Sequence, residues 1–133
     1  MKEEEQQQLI YQLRMFEQQI QNLQNQLEAV ENGINELASL NFGLDEIKGS
    51  KGREILSPIG RGVFLKADIV SEELTVDIGG KNFVRKSIPE TKEIIEEQIK
   101  KLKTVKREIE ESLEKMSGEM SKSLEEFQKM QRE

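Results

Sequence analysis

Two pairs of adjacent glutamates, Glu96-Glu97 and Glu110-Glu111, are the residues of this chain that most resemble acid–base chemistry. Two carboxylates that share a pocket can act as a general acid and a general base. Adjacent positions on a helix do not face each other, and a thin helical arm offers no pocket. The chain also lacks histidine and cysteine, which excludes imidazole and thiol catalysis, disulfides and the usual zinc ligands. The glutamates therefore indicate a solvated helix face, and we expect neither an enzyme nor a metal site.

Two glycine pairs could in principle cradle a phosphate. They are Gly60-Arg61-Gly62 and Gly79-Gly80. The first pair lacks the third glycine of the dinucleotide fingerprint, because Leu65 occupies that position, and no Gly-Lys-Ser or Gly-Lys-Thr triplet occurs. Both pairs are interpreted as turn glycines of β-hairpins, where a tight turn demands positive φ angles. No cofactor is predicted.

The charge distribution bears on nucleic acids and membranes. The formal net charge is −6, and residues 1–48 carry 3 basic and 9 acidic side chains. No segment forms a stripe of Lys and Arg that could neutralise phosphates. The N-terminus is acidic and lacks the apolar segment of a signal peptide, and no apolar run approaches the roughly 18 residues of a membrane span. We therefore expect a cytoplasmic protein that binds neither nucleic acid nor membrane.

The first long element is predicted to be a coiled-coil helix over residues 1–47. Its apolar residues recur at alternating intervals of four and three, which is the heptad pattern of a coiled-coil seam. Asn41 is a polar residue at an a position of this pattern. The apolar seam positions are Leu9, Leu13, Phe16, Ile20, Leu23, Leu27, Val30, Ile34, Leu37 and Leu44.

The partner helix is predicted in the same chain, over residues 88–133. Ser87 and Glu90 form a possible capping box at its start. Three of its seam positions are polar, namely Lys92, Lys106 and Ser123. Its apolar seam positions, which change to methionine toward the end, are Ile88, Ile95, Ile99, Leu102, Ile109, Leu113, Met116, Met120, Phe127 and Met130.

Folding the chain back on itself makes these two helices antiparallel. Leu9 then lies opposite about Phe127, and Leu37 opposite about Gln98. Between the helices, residues 48–87 change to an alternating period of two, which indicates strands. Four strands are predicted in two hairpins, over 54–58 with 63–70 and over 74–78 with 82–86. The glycine- and lysine-rich segment 45–53 is predicted to be a mobile connection. The whole chain is expected to be one domain, mainly α with small β.

Four short strands cannot bury both of their faces or cover their edges alone. We therefore predict that the hairpins pair with those of other subunits. The residues expected to mediate this oligomerisation are apolar side chains of the four strands and their turns: Leu56, Ile59, Val63, Phe64, Leu65, Ile69, Leu74, Val76, Ile78 and Val84.

The segment from Leu56 to Ile69, LSPIGRGVFLKADI, resembles the hairpin pattern of the alpha class of prefoldin subunits, roughly V-P-I-G-x-G-x-F-I-K-A-D. Ser57 departs from the usual valine-like residue before the proline. The segment VDIGG over residues 76–80 is similar to the second alpha-class hairpin, and two hairpins favour the alpha over the beta class. The architecture matches over the whole chain, whereas the motif itself covers about 25 residues.

This resemblance implies a hexamer of two alpha and four beta subunits, in which the hairpins build a double β-barrel platform and six coiled-coil arms project from it. It also implies a chaperone whose arm tips bind unfolded client proteins and pass them to a group II chaperonin without ATP. A different class of function stays open: a structural coiled-coil protein, or a self-assembling filament of the gamma-prefoldin type.

The distal ends of the helices are the candidate client-binding site. Some apolar residues there lie off the seam, while others are seam residues of flexible or aromatic type. One interpretation is an adaptable apolar clamp, and the other is a seam core with a few apolar surface residues. The candidate client-binding residues are Ile10, Tyr11, Met15, Phe16, Met120, Leu124, Phe127 and Met130.

Overall fold

The computed structural model describes residues 2–132 as two long helices with two small antiparallel strand pairs between them, which confirms the predicted fold class. The strand bounds differ from the predicted ones by two residues or fewer. The six elements are α1 (Lys2–Glu46), β1 (Glu54–Gly60), β2 (Val63–Asp68), β3 (Leu74–Asp77), β4 (Phe83–Lys86) and α2 (Ile88–Arg132).

The described residues divide into two compact units. The arm unit comprises residues 2–34 and 101–132, and the hairpin unit comprises residues 35–100. Each unit contains one stretch of α1 and one of α2, and the four strands belong to the hairpin unit.

In the arm unit, every predicted seam position is buried or half-buried, and the positions between them are exposed except for a few beside the seam. Leu9 and Ile109 are the most buried of these side chains. A Cβ on Gly33 would lie 3.4 Å from Cδ1 of Leu102, and the Lys106 ammonium lies 3.8 Å from Oε1 of Glu31. Residue numbers rise on one helix as they fall on the other in these contacts, so the two helices are antiparallel.

In the hairpin unit, the core lies where the end of α1 meets the start of α2. Leu44, Ile88 and Ile95 are buried there. The half-buried residues packed against them come from both helices, from the connection after α1 and from β3: Leu37, Ile47, Leu74 and Ile99. The side chain of Leu74 thus already contacts the core of its own chain.

The predicted capping box at the start of α2 is confirmed. The amide of Glu90 donates to the Ser87 hydroxyl at 3.2 Å, and the amide of Ser87 donates to the Glu90 carboxylate at 3.4 Å. Pro89 occupies the first turn, where its missing N–H leaves no helical hydrogen bond unmade. The cap fixes the residue at which the chain changes from strand to helix.

The hairpins are two separate two-stranded sheets. In the first sheet, Leu56 lies opposite Lys66 and Pro58 opposite Phe64, and a bulge follows at Gly60. In the second sheet, Val76 lies opposite Val84. The second turn continues through Lys81, which adopts a positive φ of 62° like the two glycines before it.

Long-range hydrogen bonds anchor the connection between α1 and β1, the segment whose composition predicts mobility. The amide of Gly49 donates to the Glu72 carboxylate at 2.6 Å, and the amide of Gly52 donates to the carbonyl of Ile69 at 2.6 Å. Ser50 is 2% exposed. Hydrogen bonds to residues about twenty positions later therefore hold this segment, and such bonds cannot be read from local composition.

Candidate functional sites: two apolar surfaces

Within residues 2–132, no group of three or more acidic, histidine or cysteine side chains is placed to hold a metal ion. No helix in this range is both long and apolar enough to cross a membrane. The candidate functional features are apolar side chains in contact with solvent. They occur in both the arm unit and the hairpin unit.

The arm unit exposes four apolar residues near the start of α1 and the end of α2, which we term the tip surface. They are Ile10, Tyr11, Met15 and Leu124, and their side chains are exposed at 38, 66, 38 and 39%. The heptad places all four off the seam, which explains why the helix pair leaves them in solvent. These residues can contact an apolar ligand without any opening of the helix pair.

The other four predicted client-binding residues lie in the seam. Phe16, Met120, Phe127 and Met130 are half-buried. They could reach a ligand only where the helix ends separate. The structure thus divides the eight predicted residues into an exposed set and a half-buried set, and the exposed set is the stronger candidate site.

Three acidic residues lie in the first turn of α1, the helix that carries three of the four tip-surface residues. Glu3, Glu4 and Glu5 are exposed in the first turn of α1. Their charges interact favourably with the positive end of the helix dipole.

The hairpin unit exposes a second set of apolar residues, which we term the hairpin surface. Six of the ten residues predicted to mediate oligomerisation are exposed, namely Leu56, Ile59, Val63, Phe64, Leu65 and Ile78. The other four, Ile69, Leu74, Val76 and Val84, are half-buried. Leu74 is the one among these four that packs against the core cluster of this chain.

The exposed residues lie on both faces of the first hairpin. Because side chains alternate along a strand, Leu56 and Phe64 share one face with Pro58 and Lys66. Leu65 lies on the opposite face, beside Ser57. A single covering surface could not bury both of these faces.

Several exposed apolar residues were missed in the sequence analysis. Ile55 lies within β1 and Phe83 within β4, and Val70 follows β2 and is 82% exposed. The strand alternation was the available signal for Ile55 and Phe83. Leu40 and Phe42 on α1 and Val105 on α2 are also exposed, and their positions outside the heptad seam could have identified them.

A polar layer interrupts the seam of the hairpin unit. The Lys92 ammonium lies 2.8 Å from Oδ1 of Asp45 and donates to the backbone carbonyl of Asn41 at 3.4 Å. Hydrogen bonds from Lys92 and Lys48 hold the pKa of Asp45 below its ordinary value of 3.8. The side-chain oxygen of Asn41 is buried, and no hydrogen-bond partner for it exists among the described residues.

The sequence of this chain is similar to those of known proteins. The family model described as Prefoldin subunit matches residues 16–133. Prefoldin subunit alpha 1 of Thermococcus kodakarensis is 37% identical over 94 residues, which are 69% of this chain and 64% of that protein. Prefoldin subunit alpha of Methanobrevibacter smithii is 32% identical over 96 residues, which are 71% of this chain and 66% of that protein.

The matches thus span slightly less than two thirds of the length of these relatives. Among solved structures, a chain of the filamentous PFD from Methanocaldococcus jannaschii, studied by cryo-electron microscopy, has the same fold. It superposes with a TM-score of 0.75 at 21% identity, over 86% of this chain and 96% of the other. The family match over residues 16–133 and the alpha-subunit relatives confirm the resemblance seen in the hairpin motif: this chain belongs to the prefoldin family.

Proposed function

We propose that this chain is a subunit of an ATP-independent chaperone that binds non-native proteins through the tip surface. The observation that carries the proposal is the exposure of Ile10, Tyr11, Met15 and Leu124 outside the helix seam. An unfolded chain exposes apolar side chains that a folded protein buries, and burial of apolar area is the general attraction between the two.

Each tip contact is expected to be weak. A fully buried aliphatic or aromatic side chain contributes about 1.5–3 kcal/mol, and a side chain on a convex helix surface is buried only in part. Several arms around one client increase the apparent affinity by a factor of about 10²–10⁴. Weak single contacts that exchange allow the client to leave without nucleotide hydrolysis.

The partners in this proposal are beta-class prefoldin subunits, in a hexamer of two alpha and four beta chains. Support comes from the hairpin surface, because apolar residues on both faces of β1 and β2 require neighbours on two sides. Delivery of clients to a group II chaperonin is inferred from family membership.

The proposal is tested by removing the tip surface without shortening the helices. A variant with serine at residues 10, 11, 15 and 124 should form complexes of normal mass with beta subunits. It should need about tenfold more complex to suppress aggregation of chemically denatured citrate synthase by half, measured by light scattering without ATP.

The matched control changes exposed apolar residues elsewhere. Serine at residues 40, 42 and 105 removes Leu40, Phe42 and Val105, which are as exposed as the tip residues. Protection should persist in this control. Normal protection by the tip variant, or equal loss in both variants, would contradict the assignment of client binding to the tip surface.

A second candidate function is self-assembly into a filament. The fold is shared with a chain of a filamentous prefoldin, and the hairpin surface could equally be covered by further copies of this chain. The filament and hexamer functions predict assemblies of different mass. The purified chain alone should form long polymers as a filament subunit, whereas as a hexamer subunit it should form a closed complex after a beta-class subunit is added.

A further inference from the structure

One stretch of α2 is strongly basic, although the net charge of the whole chain is −6. Four of the seven residues from 101 to 107 are cations and none is acidic. We term these four residues, Lys101, Lys103, Lys106 and Arg107, the cationic segment, and all of them belong to the arm unit. Lys106 is half-buried, and the other three are exposed. The arm unit thus carries a concentrated positive charge apart from its tip surface.

Carboxylates of the same chain compensate this charge only in part. The Lys106 ammonium lies 3.8 Å from Oε1 of Glu31. Within residues 2–132, no carboxylate lies within ion-pair distance of Lys101, Lys103 or Arg107. Three exposed cations of the segment therefore have no ion pair in the described part of the chain.

Lys103 has the least compensated charge of the segment. No carboxylate lies three or four positions from it, whereas Lys115, Lys122 and Lys129 each have a glutamate four positions away. Like charges at these spacings destabilise a helix, and opposite charges stabilise it. The charged neighbours of Lys103 at these spacings are all cations: Lys100, Lys106 and Arg107. The segment thus lowers the stability of its own helix, and a ligand of opposite charge would relieve the repulsion.

The length of the cationic segment limits the size of such a ligand. From Lys101 to Arg107 the helix rises about 9 Å, at 1.5 Å per residue. About three residues of an extended peptide cover this length. Glu108, Glu110 and Glu111 follow the segment and would repel a nucleic acid that extended along the helix. Two or three adjacent carboxylates of a polypeptide therefore fit the segment better than a longer polyanion.

We propose that the cationic segment is a second client contact, which binds acidic segments of unfolded chains. The inference rests on the proposed binding of clients at the tip surface, and it adds a preference among clients. Leu124 of the tip surface follows Lys103 by three heptads, so both side chains lie on the same side of the helix pair. Their separation along α2 is about 32 Å, which an extended chain covers with about ten residues. The preferred client thus has two or three acidic residues about ten positions from an apolar segment.

Fluorescent peptides measure this preference in complexes of the chain with beta subunits. The first peptide has an apolar segment of leucine and phenylalanine and three glutamates, joined by ten glycine and serine residues. The second has glutamines in place of the glutamates, and the third has a linker of four residues, too short to reach both contacts. At low salt, fluorescence anisotropy should show that the first peptide binds at least about fivefold more tightly than either of the others.

Neutral substitutions locate the acidic contact. Glutamine at residues 101, 103 and 107 should remove the preference for the first peptide and leave binding of the second unchanged. The matched control has glutamine at residues 115, 122 and 129, which are three exposed lysines of the same helix with glutamates nearby. The control removes the same number of charges and should retain the preference.

Urea denaturation examines the segment without a ligand. Lys103→Gln should raise the urea midpoint, because the repulsion from three neighbouring cations is lost, whereas Lys115→Gln should not raise it. A midpoint lowered by K103Q would show that Lys103 stabilises its own helix, and would overturn the proposal.

The peptide results separate this inference from the tip proposal. Equal binding of the first and second peptides, or equal loss of the preference in both glutamine variants, would overturn the acidic contact. Equal binding of the first and third peptides would overturn the ten-residue spacing. Single-stranded DNA of 20 nucleotides that binds the segment as tightly as the first peptide would show a general anion site instead.

None of these results bears on the tip surface, because the second peptide measures apolar binding alone. Conversely, the variant with serine at residues 10, 11, 15 and 124 should bind the second peptide weakly. Unchanged binding of that peptide, with the preference for glutamates still lost in the variant at residues 101, 103 and 107, would contradict the tip proposal and support the cationic segment.

Discussion

The polar layer of Asn41, Lys92 and Asp45 shows at the residue scale how the helix register is chosen. Leucines would pack against each other in several registers, whereas a lysine that must reach one particular carboxylate suits one register. The Lys92 side chain is 15% exposed, so loss of its partner would leave a largely buried charge. The Asn41 side-chain oxygen has no hydrogen-bond partner in the described part of the chain, which is a cost of this specificity.

The first prediction concerns Asp45 and pH. Its pKa is held below the ordinary value of 3.8 by hydrogen bonds from Lys92 and Lys48, so its ionised form stabilises the folded chain. A group with a lowered folded pKa contributes stability above the unfolded pKa and loses it as the pH falls through the folded pKa. Asp45→Asn should therefore lower the urea midpoint at pH 7, and the difference from the natural chain should shrink steadily below pH 4.

Glu46→Gln is the control for this change, because it removes a carboxylate from the same turn and no ion pair of Glu46 is present among the described residues. Its midpoint should differ little from that of the natural chain at either pH. A D45N deficit that is unchanged at pH 3 would show that the effect comes from packing or helix propensity instead of the ion pair.

At the scale of elements, the capping box decides where α2 begins. Ser87 follows the last strand directly, and its hydroxyl accepts from the Glu90 amide, so one residue separates two kinds of secondary structure. The first residue of this helix, Ile88, already belongs to the core of the hairpin unit, together with Ile95.

The second prediction follows from this cap. Ser87→Ala should lower the free energy of unfolding by about 1 kcal/mol, because the Glu90 amide loses its acceptor. Ser87→Asp should retain most of the stability, since a carboxylate also caps the helix and interacts with its dipole. Urea denaturation followed by circular dichroism measures both. An alanine variant as stable as the aspartate variant would contradict the role of the cap.

The elements also show what sequence can predict. The heptad spacing identified the seam residues of both helices, because a 3.5-residue period places every buried side chain by local repetition alone. The turn glycines and the alternation of apolar and polar residues located the four strands. The hydrogen bond from Gly49 to Glu72, the pairing of Lys92 with Asp45 and the bulge at Gly60 were not predicted. Each depends on which distant residue the chain brings near, and no local period encodes that.

At the scale of the whole molecule, little apolar surface is sequestered within the chain. Five hydrophobic residues are buried among those described, and none of their side chains is completely enclosed. Sixteen large hydrophobic residues among those that the structure describes are exposed, and most of those in the hairpin unit lie in its strands and turns. Folding of one chain therefore buries less than the sequence could bury, and the proposed association through the hairpins would bury more.

The last prediction is that assembly depends on the hairpin surface and not on exposed apolar residues in general. Phe64→Asp places a charge where a neighbouring subunit would bury a phenyl ring, and an unpaired buried charge costs several kcal/mol. Complexes of F64D with beta subunits should have a lower mass than complexes of the natural chain. Light scattering after chromatography measures this mass. The helices should keep their circular dichroism, because Phe64 does not belong to the core of this chain.

Phe42→Asp is the matched control for this variant. Phe42 is 66% exposed, compared with 57% for Phe64, and lies on α1 outside both the seam and the hairpins. The same chemical change there should leave the mass of the complex unaltered, because no neighbouring subunit is expected to bury it. Full assembly of F64D, or disassembly of F42D to the same extent, would show that the hairpin surface does not direct association. The association would then have to be assigned to the helices.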